Sequence, residues 1–253
     1  MVSVLVVKDL CKTYIVNKRQ NNVLKNINFK IKEGEMVGVM GPSGSGKSTL
    51  LYTVSGMDKV TSGSVEFFST EISNLSSTRM SEIRLNDMGF IFQQMHMLKS
   101  LTIFDNIILP AFQAKKESRA VIVDRAQGLM KKLGIIEVSD NDINEVSGGQ
   151  LQRACICRSL VNDPKMIFAD EPTGALNRQA SNEVMEELNR INKEGVTILL
   201  VTHDVKVAAK CGRVVYIVDG RIKGEYNLGI YGGGNSLRER ERILNNWLME
   251  MGW

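Results

Sequence analysis

"GEMVGVMGPSGSGKSTLLYTVSGM", residues 34–57, decides the fold. "GEMVGVMG" is a continuous apolar run that ends in glycine, the pattern of a strand buried on both faces. "STLLYTVSGM" reads as a helix, so the glycine-rich segment between them is a strand–loop–helix junction. Gly41 to Ser48 fits G-x-x-x-x-G-K-[ST] in full. A loop of Gly41, Pro42, Ser43, Gly44, Ser45 and Gly46 turns backbone N–H groups toward phosphate oxygens, and the following helix adds its positive end. Lys47 is then placed to reach β- and γ-phosphates and the Ser48 hydroxyl to ligate Mg²⁺, with Thr49 next in the cup. The competing reading is a glycine-rich turn that binds nothing.

Outward from this junction, the front of the chain reads as short strands. "SVLVVKDL" alternates, and "VLKNINFKI" alternates apolar and polar residues as a half-exposed antiparallel strand does. From about residue 95 to 160 the pattern is helical, broken around "KKES" and "SDNDINE". "PKMIFADEP" and "GVTILLVTHD" are apolar runs closed by polar clusters, as buried parallel strands with reactive groups at their C-terminal ends are. "SNEVMEELNRINKEG" between them is a crossover helix. Residues 229–235, "GIYGGGN", read as a glycine linker. Residues 236–253 read as an amphipathic helix with Ile243, Leu244, Trp247, Leu248 and Met251 in one stripe.

The composition is that of an ordinary globular chain: 253 residues, 43% hydrophobic, 24% charged and a net charge of +4. That charge is too small to argue for nucleic acid without a clustered basic face. Four cysteines without a C-x-x-C pair, and only two histidines, disfavour zinc. "MVSVLVVKDL" lacks the basic region and long apolar core of a signal peptide. No apolar run approaches the roughly 20 residues that span a bilayer. The expectation is a cytosolic chain, or one held at the cytoplasmic side of a membrane only by a partner.

"MIFADE" ends a strand with two carboxylates. Asp170 can hold Mg²⁺ through its water shell, and Glu171 can orient and deprotonate an attacking water; alternatively the pair caps the next helix. "VSGGQ" supplies a second anion cup, since Ser147 is a good N-cap and the N–H groups of Gly148 and Gly149 open a helix.

Together these motifs resemble the ATP-binding cassette ATPases that drive membrane transporters, over roughly residues 3–225. "GFIFQQ" looks like the family's glutamine loop with Gln93, "VSGGQLQR" its signature with Ser147, Gly148, Gly149 and Gln150, "MIFADE" its second Walker motif, and "VTHD" its switch histidine, His203. Motif order and spacing agree. The resemblance implies an α/β P-loop NTPase core (RecA-like), an N-terminal antiparallel β-subdomain and an inserted helical subdomain at about 95–160. The cassette would span 1–228 and the amphipathic helix would come after the linker. It implies that Gln93 contacts Mg²⁺ and the attacking water, that His203 binds the γ-phosphate, and that Tyr14 lies against adenine, although an aromatic at a strand end is more often packing.

The resemblance also explains two cups in one chain: a second copy would pair head to tail, so that Ser147 to Gly149 of one chain close over the ATP held by Gly41 to Ser48 of the other. A permease would be the membrane partner. One departure stands out: "PTGALN" carries Asn177 where the family usually has aspartate. "QQMHMLKSLTIFDNIILPA" reads as core packing or as the permease groove. "GFIFQ", "NIILP" and "FADEPTGAL" are similar to the lipoprotein-release, macrolide-export and bacitracin-resistance subgroup, and "CGRVVYIVDGRI" and the tail lean toward its bacitracin-type branch, which implies resistance to or sensing of peptide antibiotics and often a sensor histidine kinase. The tail helix packs on its own cassette or dimer mate, docks on the permease or kinase, or lies on lipid. The alternatives are the ATPase of a lipoprotein or macrolide export system and a cell-division-type scaffold that regulates a wall hydrolase. A DNA-repair ATPase would need long coiled coils, and a translation factor would need two cassettes.

Overall fold

A computed structural model describes residues 2–232 and 236–253. Among them, two sheets enclose the helix Lys47–Val54 between them, and further helices cover the far face of the second sheet. The first is antiparallel, in the order β2-β1-β4-β5: β1 (Ser3–Val16), β2 (Arg19–Lys32), β4 (Ser62–Phe67) and β5 (Thr70–Glu71). The second, in the order β10-β9-β3-β8-β7-β6, joins β3 (Met36–Met40), β6 (Met88–Phe92), β7 (Met166–Asp170), β8 (Thr197–Val201), β9 (Arg213–Val218) and β10 (Arg221–Asn227). All its neighbours run parallel except β10, which turns back on β9. The helices are α1 (Lys47–Val54), α2 (Ser77–Asp87), α3 (Ile103–Ala114), α4 (Arg119–Lys132), α5 (Gly148–Leu160), α6 (Arg178–Lys193), α7 (Val205–Ala208) and α8 (Ser236–Glu250).

The apolar pattern of each strand explains its place. On β2, Ile27, Phe29 and Ile31 are buried while Asn28 and Lys30 are exposed, so one face is wet. Strands β3, β7 and β8 are buried at every residue, as covered parallel strands must be. Side chains alternate across them. Val37, Val39, Phe168, Leu199 and Val201 enter a core shared with α1 and the first sheet. Ile167, Ala169, Ile198 and Leu200 point the other way, into a core completed by α3, α4, α5 and α6.

A third, smaller core sets the tail. Leu244, Trp247 and Leu248 of α8 are buried against Met40, Val214 and Tyr216. This is the first of the three readings of the tail: it packs on its own cassette. Arg240 fastens it, donating from Nε to Ala209 O at 2.7 Å and from Nη2 to Cys211 O at 2.6 Å, the carbonyls just beyond α7. Of the glycine linker at 229–235, residues 233–235 lie outside the described ones. The Met- and Leu-rich stretch divides: Ile103, Ile107 and Ala111 fill the core while Leu98, Leu109 and Phe112 stay exposed. Residues 58–92, about which periodicity gives no expectation, form β4, β5, α2 and β6, and β6 extends the main sheet beside β7.

Among the described residues, no helix is long and apolar enough to cross a membrane. No group of three or more His, Cys, Asp or Glu side chains among them could hold a metal ion.

Burial pushes the thiols of Cys155, Cys157 and Cys211 up to about 11, 12 and 12 respectively, so they are poor nucleophiles near neutrality. Cys11 is only half-buried. Iodoacetamide at neutral pH should therefore label Cys11 alone in the native chain and all four cysteines after denaturation, read by peptide mass spectrometry.

Candidate active site

The cup is built where β3, β7 and β8 end. Gly41 leaves β3 with no room for a side chain: a Cβ there would lie 2.1 Å from Ile217 O and 2.6 Å from Ser45 Oγ. Gly46 caps α1 at φ 101° and ψ 11°, a left-handed conformation that glycine takes without strain. These two constraints bend the loop so that α1 begins at Lys47. Lys47 Nζ donates to Gly41 O at 2.8 Å and to Pro42 O at 2.9 Å, which keeps its charge inside the loop. Burial holds its pKa below the ordinary lysine value, opposed by the carboxylates of Glu171 and Asp170.

Asp170 ends β7 and is 8% exposed. Ser48 Oγ donates to its Oδ1 at 2.9 Å, and the Tyr52 hydroxyl donates to its Oδ2 at 2.6 Å. Both carboxylate oxygens are therefore satisfied from one face of α1. Burial, then the hydrogen bond to Asp170, pushes the Tyr52 phenol above its ordinary value. The Ser48 hydroxyl and the Asp170 carboxylate are hard oxygen donors side by side below the phosphate loop, a donor set that fits Mg²⁺.

Glu171 stands at φ 46°, a costly conformation for a residue with a side chain. Its N–H donates to Val201 O at 3.0 Å, and its Oε1 lies 2.9 Å from His203 Nδ1. The Glu171 side chain is 14% exposed and that of His203 69%. The strained turn aims the carboxylate into the cup instead of along the next helix, whose cap is Asn177.

A cavity of about 600 Å³ brings most of the expected residues together: Gly41, Pro42, Ser43, Gly44, Gly46, Lys47, Ser48 and Thr49 face Gln93, Glu171 and His203 across it. Gln93 also reaches the loop after Glu171, where its side chain packs on Gly174. Ser45 is buried beneath the loop and does not line the cavity.

Two expected groups lie elsewhere. The Tyr14 hydroxyl donates to Asp58 Oδ2 at 2.5 Å, with Lys12 Nζ 4.7 Å from the ring centroid, and Tyr14 is absent from the cavity lining. Burial, then the hydrogen bond to Asp58, pushes its phenol up to about 12. The signature Ser147, Gly148, Gly149 and Gln150 also lie outside this cavity. There, Ser147 Oγ accepts from Gln150 N at 3.2 Å and Gln150 Oε1 from Ser147 N at 2.9 Å, a capping box. The N–H groups of Gly148 and Gly149 have no acceptor among the described residues.

Asn177 Oδ1 accepts from Ala180 N at 2.9 Å, so the amide caps α6 as a carboxylate would, without its charge. Sequence reading missed Tyr52. The available signal was its place one helical turn after Ser48, which puts both hydroxyls on one face. A second cavity of about 510 Å³, lined by Arg84, Phe90, Leu98, Leu109 and Pro110 among others, opens beside Phe92.

A family model described as ABC transporter matches residues 24–174. The chain is 42% identical to the ABC transporter ATP-binding protein YxdL of Bacillus subtilis, over 97% of this chain and 93% of that one. It is 37% identical to the bacitracin export ATP-binding protein BceA of Halalkalibacterium halodurans, over 90% of each. Among solved structures, the dimeric post-hydrolysis state of the ATP-binding cassette MJ0796 bound to ADP and Pi matches with a TM-score of 0.83. Identity there is 36%, over 88% of this chain and 98% of that one.

Removing the Tyr52 hydroxyl leaves one buried oxygen of Asp170 unsatisfied. Tyr52→Phe should lower stability by about 1–3 kcal/mol in urea denaturation, with an unchanged circular dichroism spectrum.

Proposed function

Since this chain belongs to the ABC transporter family, whose cassettes bind and hydrolyse ATP, we propose that it works as one of two identical cassettes closing head to tail around two ATP molecules. The observation that carries this reading is the composition of one cavity. The phosphate loop, Gln93, Glu171 and His203 line it, while the signature loop of the same chain does not. Each chain then holds one complete cup and one cup that faces away, and a second copy supplies the missing half.

In this reading Gly41 to Thr49 cradle the triphosphate by backbone N–H groups, and Lys47 neutralises the β- and γ-phosphates. Ser48 and Asp170, with Gln93, would hold Mg²⁺, which supplies charge neutralisation where the phosphate oxygens gather. Glu171 accepts a proton from water as its oxygen attacks the γ-phosphorus, and the bond to the bridging oxygen of ADP breaks. His203 fixes the Glu171 carboxylate through the 2.9 Å contact and faces the same phosphate. Ser147, Gly148 and Gly149 of the partner cassette close over the γ-phosphate with their free N–H groups. Tyr14 would be the base platform beside this cavity, its ring held in place by the hydrogen bond to Asp58.

We further infer that the cassette, residues 1–228, sits at the cytoplasmic face of a membrane, bound to a permease. The cavity beside Phe92 lies directly next to Gln93 in the chain and offers apolar side chains and two arginines to a permease's cytoplasmic helix. Similarity to the bacitracin export ATP-binding protein BceA supports the peptide-antibiotic branch. A sensor histidine kinase would be a further member of such a complex.

Two variants test the site. Glu171→Gln should lower ATP hydrolysis at least about 100-fold, measured by phosphate release. The same variant should form a dimer in saturating ATP and Mg²⁺ by light scattering, and a persistent monomer would overturn the head-to-tail reading. Asn177→Asp should leave thermal stability within about 0.5 kcal/mol, because either side chain caps α6, and should change the hydrolysis rate if charge at this loop couples the two sites.

A further inference from the structure

The tail helix does more than pack, because the chain reverses sharply at its end. After Glu250 it turns in a Schellman motif: Trp253 N donates to Leu248 O at 2.9 Å and Gly252 N to Met249 O at 3.1 Å, with Gly252 at φ +87°. This turn folds Trp253 back toward the body. Its ring lies 5.9 Å from that of Tyr216, which pairs in the sheet with Met40, the residue before the phosphate loop. Trp253 is thereby carried to the rim of the nucleotide cavity, which it lines together with Gly41 to Gly44, Glu171 and His203. Trp253 is 40% exposed, so it borders the cavity without filling it. The remaining space of about 600 Å³ is of the size that small-molecule sites have.

We propose that α8 is an element of the nucleotide site and that the Trp253 indole forms one wall of it, contacting the phosphate end of bound ATP or ADP. The proposal rests on the cup being the nucleotide site. The placement has two anchors that are independent of any ligand: Arg240 pins the start of the helix, and the buried Trp247 and Leu248 pin its end. The helix therefore delivers Trp253 to a fixed position. Linkage makes the coupling reciprocal, so nucleotide must change the surroundings of Trp253, and loss of Trp253 must change nucleotide affinity.

The chain has only two tryptophans, which makes the test direct. Mg-ADP is titrated into the full chain, Trp247→Phe and Trp253→Phe, with tryptophan emission and isothermal calorimetry read on the same samples. The proposal expects a saturable emission change in the full chain and in Trp247→Phe, at the calorimetric midpoint, and none in Trp253→Phe. If Trp247→Phe fails to fold by circular dichroism, the difference between the full chain and Trp253→Phe isolates the same signal. Trp253→Ala should weaken Mg-ADP binding roughly two- to tenfold. Calorimetric binding with no emission change from Trp253, or with unchanged or tighter binding by Trp253→Ala, overturns the wall and leaves the cup intact. No calorimetric binding by the full chain overturns the cup itself, and the proposal with it.

Discussion

A buried carboxylate must be hydrogen-bonded on both oxygens or it destabilises the fold that holds it. Asp170 meets that requirement through Ser48 and Tyr52, one turn apart on α1. Satisfying both oxygens fixes the rotation and the height of α1 over the end of β7. Because α1 begins at the phosphate loop, the same two bonds fix the loop. The left-handed Glu171 is a consequence of this arrangement. The chain must leave β7 beside a docked helix, and it turns back to bond Val201 O on β8, which brings its carboxylate to His203. The meeting of Glu171 and His203 is thus a by-product of satisfying one buried charge.

The second constraint is that a helix N-terminus has donors to satisfy. In α5 the capping box of Ser147 and Gln150 uses two of them and leaves Gly148 and Gly149 open. A helix end with free N–H groups and no side-chain bulk is an anion site without an anion-holding lysine. The phosphate loop is the opposite: it has the lysine, and it opens to one side of its cavity. The two cups complement each other chemically and the signature does not line the cavity of its own phosphate loop, which is the physical reason the proposed site takes in a second copy.

What could be read from the residues was whatever depends on near neighbours. The fully apolar runs of β3, β7 and β8, the alternation of β2, the capped start of α5 and the stripe of α8 are all local patterns. So were Lys47, Ser48, Asp170, Glu171 and His203, because each lies beside a strand end whose position the apolar runs define. The remainder depends on distant partners. The bond from Tyr52 to Asp170 joins residues 118 apart, and that from Tyr14 to Asp58 joins residues 44 apart. No periodicity encodes either. The arrival of Trp253 at the cavity was equally hidden. The stripe on α8 could be read, but the face of the sheet that receives it depends on the side chains of β3 and β9. The elements between residues 58 and 92 stayed silent because short strands and a polar helix carry weak periodic signals.

In the proposed dimer, a working site takes its phosphate loop from one chain and its signature from another. Mixed pairing tests it: Lys47→Ala disables one cup and Ser147→Arg the other, so each variant alone should hydrolyse no ATP. In a mixture, one composite site of each mixed dimer carries both lesions and the other carries neither. Phosphate release should return when the two inactive variants are combined. A mixture that stays inactive, although mixed dimers form in ATP, would contradict that pairing and mean that each chain completes its own site.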